Sequence, residues 1–549
     1  MKKSKTFFEN IIEQYKKNPI GLFAFYFVTF FTLFGLYAPF FASSKPLIVS
    51  YDGTIYFPLF RYLFFEGFFT KRIDIFYNLL MFTLPVALFL PCLVALKSKG
   101  RFYLFCSVLH LILFVFLLNN GPHDPASNPL LNYKKQEYLK KIALEETEPH
   151  KGRLSWEEKI GFMTDYEKLN RVLRFKHRKK QDQNLQKYAD SYGEKALESY
   201  LLKGAIREKN NLLKEGIKEQ DLPPREELKN QVLSKLGKEE RQDLMALPTL
   251  WRIEERHYEE KLSGLLRALD REEDAFKREE LSYLKIKKDW FSQEVEKVTF
   301  EWMPLFSHFH WEDDAGGEQA LNQYLPFWLL TRINQKDLAA SLIFGIRVSL
   351  MVGVLSVLIQ LLIGLPVGAV AGFFGGKVDI LISRVLEVWE GLPTFFMLLM
   401  IVAVLQSKSI FLVVCILGIF GWTGISRFMR GEVLKQRNLP YVEALRCCGF
   451  TNSGILFRHI LPNAIPPILT LLPFAIMGAI SAEAGLSFLG LGEEGSCSWG
   501  VLMDEGRIAF PGESYLLWPP AILLTLLLVA IALIGDALRD AFDPKMHRS

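Results

Sequence analysis

The sequence predicts an all-α polytopic membrane protein with a helical domain inserted outside the membrane. Three observations predict it. Of 549 residues, 50% are apolar. Apolar blocks of roughly twenty residues, the length that crosses a hydrocarbon core of about 30 Å, recur along the chain. Between the third and fourth of them lies a long Lys/Glu-rich segment with no cysteine and no apolar block of that length.

The first block, 19–41, follows the polar stretch MKKSKTFFENIIEQYKKN and carries no small-residue cleavage site, so it reads as a retained anchor. Blocks at 73–96 and 102–118 are separated by KSKGR. They complete an amino-terminal membrane region, 1–120, as two extra spans or as a re-entrant or peripheral pair of the same parity. The polar segment 121–325 shows the spacing of one helix face at Leu262, Leu265, Leu266 and Leu269. Within it, DLPPREELKN opens a helix, with Asp221 near the cap and Glu226 and Glu227 at the positive dipole end. The carboxy-terminal region, 326–549, supplies five blocks, near 341–373, 386–404, 410–425, 464–484 and 516–534.

Charge orients these blocks. When eight spans are threaded in order, the amino-terminal lysines, Lys97, Lys99, Arg101, Lys377, Arg384, Arg427, Arg430, Lys435, Arg437, Arg446, Arg458, Arg539 and Lys545 fall on one side. The positive-inside rule makes that side the cytoplasm and puts both termini there. Segment 121–325 then lies outside the cytoplasm, as a solvated helical domain or a surface for a partner. Of the six cysteines only Cys497 falls outside, which leaves no internal disulfide there and no cysteine-ligated metal cluster.

Chemistry is sparse. His308 and His310 stand near Glu312, Asp313 and Asp314, but without helical ligand spacing, so a metal site is not expected. AGFFGGKVD lacks the spacing and the final Ser/Thr of a P-loop. No Ser/His/Asp set, zinc motif or nucleic-acid-binding pattern can be placed, so the chain is read as non-catalytic, with no cofactor of its own and no nucleic-acid partner. Glu387 and Glu390, near the cytoplasmic start of a span, with Pro393, and Glu483, near the outer end of another, are candidate gate or pathway residues. An ionisable group in a membrane segment is a functional hypothesis by default, although positions near the interfaces favour structural pairing or hydration.

One segment between spans stands out. In 441–462, YVEALRCCGFTNSGILFRHILP, Pro440 permits a break and Glu443 and Ala444 begin a short helix. Gly449 allows a turn or close approach, and Ile455 with Leu456 supplies an apolar contact. Two short helices joined near Gly449 would make a cytoplasmic knob; from composition alone an interfacial loop touching anionic lipid is the plainer reading.

The segment resembles the coupling loop of binding-protein-dependent ABC importer permeases, whose pattern is Glu-Ala-Ala, three residues, Gly, five residues, Ile, three residues, His-x-Leu-Pro. Tyr441 opens the match, and Glu443, Ala444, Gly449, Ile455, His459, Leu461 and Pro462 stand at the same spacing, with Leu445 where alanine is preferred. The loop is bounded at 429–463. FGIRVSLMVGVLSVLIQLLIGLPVGAVAGFFGG, EAGLSFLGLG, SWGVLM and GDALRDAFDPK are similar to the second, C-type permease of the dipeptide/oligopeptide branch, over residues near 20–60 and 338–549. Two departures are visible. The Gly-Thr-Asp…Gly-Arg-Asp segment is reduced to Asp337, and the two extra blocks and the charged domain are insertions.

The resemblance implies a type I importer permease core. It implies as partners a related permease subunit, two cytoplasmic ATPases that bind the ATP and Mg, an extracytoplasmic substrate-binding protein and a peptide cargo. A proton-coupled carrier would more naturally carry midplane acids and repeated halves; it and a membrane-anchored scaffold are the alternatives.

Overall fold

The computed structural model describes residues 7–43, 45–64, 71–93, 99–119, 155–161, 163–186, 189–214, 223–238, 240–241, 275–306, 337–405, 408–508 and 514–542. In chain order the first elements are α1 (Phe7–Lys17), α2 (Pro19–Leu36), α3 (Ala38–Phe41), β1 (Ile48–Tyr51), β2 (Thr54–Tyr56), α4 (Pro58–Tyr62), α5 (Arg72–Leu93) and α6 (Lys99–Asn119). The polar region holds α7 (Trp156–Gly161), α8 (Asp165–Gln186), α9 (Ala189–Lys214), α10 (Arg225–Lys235), α11 (Ala275–Glu296) and β3 (Val298–Trp302). The remainder is α12 (Leu338–Phe374), α13 (Gly376–Glu390), α14 (Thr394–Leu405), α15 (Ile410–Arg437), α16 (Pro440–Cys447), α17 (Asn452–Gly454), α18 (Leu461–Leu469), α19 (Leu472–Leu486), α20 (Trp499–Ile508) and α21 (Trp518–Phe542).

The chain forms two units: Met1–Phe41, Glu66–Leu118 and Ala340–Ser549 in the first, Ala42–Phe65 and Asn119–Ala339 in the second. In the first unit, seven helices among the described residues are long and apolar enough to cross a membrane. An eighth crossing arises only if α13 and the Phe395–Val402 part of α14, bent by 67°, count as one span. The block read as continuous over 386–404 is therefore broken. Pro393 accounts for it, because proline lacks an N–H and pushes the preceding Leu392 out of helical geometry.

Two contacts fix the packing of this unit. A Cβ on Gly364, Gly368 or Gly372 would sit 2.8, 2.3 or 2.6 Å from the carbonyl oxygens of Trp422, Ser426 and Arg430, so α12 and α15 touch backbone to backbone. In lipid such close approach replaces hydrophobic burial as the packing force. Arg347 of α12 is fully buried. Its Nε and Nη2 donate to Gly35 O at 2.7 Å and Leu36 O at 2.8 Å at the end of α2, and its Nη1 to Asp74 Oδ1 of α5 at 3.3 Å. The guanidinium thus satisfies helix-end carbonyls and ties α5 to the core.

The second unit is not wholly helical. An antiparallel sheet runs in the order β2-β1-β3, with Val49 opposite Tyr56 and Glu301, and Ser50 opposite Ile55 and Phe300. Its inner face packs Val49 and Tyr51 against Tyr62, Tyr166, Leu169 and Leu173, and Trp156, Val172, Phe175 and Phe291 form an adjacent cluster. The sheet moves residues 42–65 out of the amino-terminal region drawn from sequence, because β1 is its central strand. α10 opens at Pro224 with Glu226 and Glu227 in its first turn. Asp221, the leucines at 262–269 and the cluster His308, His310, Glu312, Asp313 and Asp314 lie outside the described residues.

Candidate functional site

The coupling segment is built from its helix ends. Pro440 occupies the first turn of α16, where its missing N–H costs nothing. Glu443 is exposed in that turn and favours the positive end of the helix dipole; the cap residue, Leu439, makes no side-chain bond. α16 ends when Gly449 takes φ +79°. Gly449 N donates to Arg446 O at 3.0 Å and Phe450 N to Leu445 O at 3.2 Å, the paired bonds of a Schellman cap. Thr451 then caps α17, its Oγ1 accepting Gly454 N at 3.2 Å. A π-helical turn, Ile455–Ile460, leads into α18, with Pro462 in its first turn.

The resulting segment has two faces. Val442, Ile455, Leu456 and Ile460 are buried in one cluster with Ala369 and Phe373 of α12 and Ile425, Met429 and Val433 of α15, with Tyr441, Leu445 and Leu461 partly buried against it. Ile455 and Leu456 therefore fasten the loop to its own spans. The opposite face exposes Glu443, Ala444, Arg446, Gly449, Phe450, Phe457 and Arg458. The Tyr441 hydroxyl donates to Gln436 Oε1 at 3.1 Å. His459 lays its ring edge-on to Phe450, centroids 5.5 Å apart, and its carbonyl accepts Asn463 Nδ2 at 2.9 Å.

Sequence reasoning missed the arginines beneath. Arg430 forms a two-pronged pair with Asp379 of α13, Nη2 to Oδ2 at 2.6 Å, and Arg437 donates to Phe373 O at 3.0 Å at the end of α12. Only their basic character near the loop signalled them.

The candidate gate residues do not converge. Glu387 pairs with Arg384 at 2.6 Å and Glu390 with Arg427, all exposed or nearly so. Pro393 marks the α13–α14 break, its carbonyl accepting Met397 N at 3.1 Å. Glu483 stands apart: it is buried, and its Oε1 accepts the hydroxyls of Ser487 and Ser498, each at 2.6 Å. Just beyond this span, burial pushes the Glu493 carboxyl above its ordinary range, against the pull of Lys71, the Ile410 N–H and Arg72. No group of three or more metal-ligating side chains occurs among the described residues.

Comparison with known proteins gives the family. Residues 364–548 match the profile of the binding-protein-dependent transport system inner membrane component. The peptidoglycan transport system permease YejE of Agrobacterium fabrum is 36% identical over 40% of this chain but only 57% of its own length. The oligopeptide transport system permease OppC of Haemophilus influenzae is 38% identical over 39% of this chain and 69% of its own. The dipeptide transport system permease DppC of Bacillus subtilis is 36% identical over 42% and 72%. An inward-facing structure of the MetNI methionine ABC transporter shares 17% identity over 37% of this chain and 97% of that one, at a TM-score of 0.31, too low to argue from. With more than two thirds of two curated permeases covered at over 30% identity, this chain belongs to the family of binding-protein-dependent transport system inner membrane components.

Proposed function

We propose that the chain is the permease subunit of an ATP-driven peptide importer, assembled with a related permease subunit, two cytoplasmic ATPases and an extracytoplasmic binding protein. The oligopeptide and dipeptide systems among its relatives support a peptide cargo. One observation carries the coupling role: the loop is clamped to α12 and α15 on one face and bare on the other, with Phe450 and Phe457 47% and 54% exposed. ATP and Mg act on the partner ATPases. When those subunits close, the bare face moves with them and the buried face passes the displacement to the spans. ATP binding thereby favours one state of the pathway over the other, a population shift. Glu387 and Glu390, each already paired with an arginine, serve as parts of the scaffold, and Pro393 serves as the hinge between α13 and α14.

Chain connectivity supports the orientation. With eight crossings, the bent α13–α14 pair counting as one, the amino terminus, the coupling loop and the carboxy terminus all fall on the same side of the membrane. The test is co-purification with the ATPases and reconstitution with ATP on the loop side. Peptide uptake should require ATP and the binding protein; uptake driven equally well by a proton gradient without ATP would replace this reading with a secondary carrier.

A further inference from the structure

The rod that starts at the coupling loop ends in a buried hydrogen-bonded carboxyl group. α18 and α19 carry the chain from Leu461 to Leu486, and a π turn, Ser487–Leu491, continues it. The stretch from Leu461 to Glu483 contains about 33 Å of helical rise in two pieces. The rod is broken once, at Thr470 and Leu471, between Pro466 and Pro467 on one side and Pro473 on the other.

Glu483 is 1% exposed. Oε1 accepts Ser487 Oγ from its own helix and Ser498 Oγ from the loop before α20, while Oε2 is buried without a partner. The start of α20, directly after Ser498, is seated on two other helices. Trp499, fully buried, donates its indole N–H to Leu342 O of α12 at 3.0 Å and packs its ring on Phe31 of α2, centroids 5.9 Å apart. A Cβ on Gly345 would lie 2.5 Å from the Trp499 ring, and one on Gly500 would lie 2.5 Å from Ala484 O. The start of α20 thus rests against α2 and α12, and the Ser498 hydroxyl just before it is a directional polar tie to α19. That tie contains no cation, so breaking it leaves no buried positive charge behind.

We propose that Ser498 and Glu483 form an outer latch: positioning residues that hold the loop around Trp499 shut on α2, α12 and α19 until movement of the coupling loop, carried along α18 and α19, releases it. The proposal rests on the coupling role argued above. Ser487 keeps the acceptor oxygen aimed at Ser498 when the latch is closed and satisfies it when the latch is open.

Cys497, 6% exposed and next to Ser498, is a built-in reporter. The experiment uses the complete transporter in vesicles, with the chain's other cysteines replaced and transport retained, and an impermeant maleimide on the face opposite the ATPases. Wild type should label slowly without nucleotide and faster once ATP is trapped on the ATPases. In Ser498→Ala, nucleotide-free labelling should rise about tenfold, the shift expected for one lost hydrogen bond to a carboxyl group. Ser498→Thr, which keeps the hydroxyl, should stay slow. Slow nucleotide-free labelling of Ser498→Ala with ATP-driven labelling intact overturns the latch and leaves the coupling role standing. Equal speeding by alanine and threonine assigns the effect to packing and also overturns it. Wild-type labelling indifferent to nucleotide, with no ATPase stimulation, removes the coupling role and the latch together.

Discussion

Gly449 turns the chain between α16 and α17 at φ +79°, yet a Cβ there would meet nothing within 4 Å. Only the backbone conformation requires glycine, so Gly449→Val should cost about 1–2 kcal/mol locally, and Gly449→Asn less, because asparagine tolerates the left-handed region. Both variants should reach the membrane at wild-type abundance. ATPase stimulation by cargo-loaded binding protein should fall in valine and be partly kept in asparagine; equal loss in both would mean that side-chain bulk at a partner surface matters instead. The glycine was legible because its spacing from Glu443 and His459 is local. Arg347 and Asp74 were not: they are 273 residues apart, and only folding shows that one neutralises the other. Asp74→Ala leaves a fully buried guanidinium without its counter-charge and should destabilise the protein by about 3–5 kcal/mol, lowering the melting temperature in detergent, whereas Arg347→Met with Asp74→Leu should recover only part of it, because the Gly35 and Leu36 carbonyls lose their donor.

Elements divide by how local their signals are. Apolar blocks of membrane length announced α2, α5, α6, α12, α15, α19 and α21, because burial in lipid needs only composition and length. The sheet gave no such signal. β1 and β2 are short, and β3 lies in a region read as helical, more than two hundred residues beyond them. Central strand β1 supplies the pairing for both neighbours, so a fragment spanning 122–320 lacks the partner of β3. Joining 42–65 by a flexible linker to 119–339 should give a cooperative melt by circular dichroism, which 122–320 alone should lack. In β3, burial would raise the Glu301 carboxyl, but His177 and Lys176, the latter at 2.8 Å, outweigh it and bring it down to about 2 from 4.5. The lowered value favours the folded state fully above pH 4.5 and progressively less as pH falls toward 2. Glu301→Gln in the joined fragment should therefore be less stable at pH 7 and lose less further stability than wild type between pH 4.5 and 2.

At the scale of the molecule, charge in short loops and the parity of spans carry the arrangement, and both are properties of sequence. What they could not supply is that two distant pieces, Ala42–Phe65 and Asn119–Ala339, make one unit. That joining makes the topology testable at four positions. If α2, α5, α6, α12, the bent α13–α14 pair and α15 each cross the membrane once, Thr54 in β2 and Tyr200 in α9, both exposed, face one compartment, while Gly100 and Arg458 face the other. Single cysteines at these four positions, in a background cleared of native cysteines, report this directly in intact cells. An impermeant maleimide should label positions 54 and 200 without permeabilisation and positions 100 and 458 only after it. Should 54 and 200 divide between the compartments, the sheet could not form across the bilayer and the second unit would be wrong. Should all four change places together, the unit would stand and the orientation would invert, taking the ATPase-facing loop out of the cytoplasm. If only position 100 joins 54 and 200, α5 and α6 form a re-entrant pair that dips into the membrane, and the parity of the carboxy-terminal core is preserved.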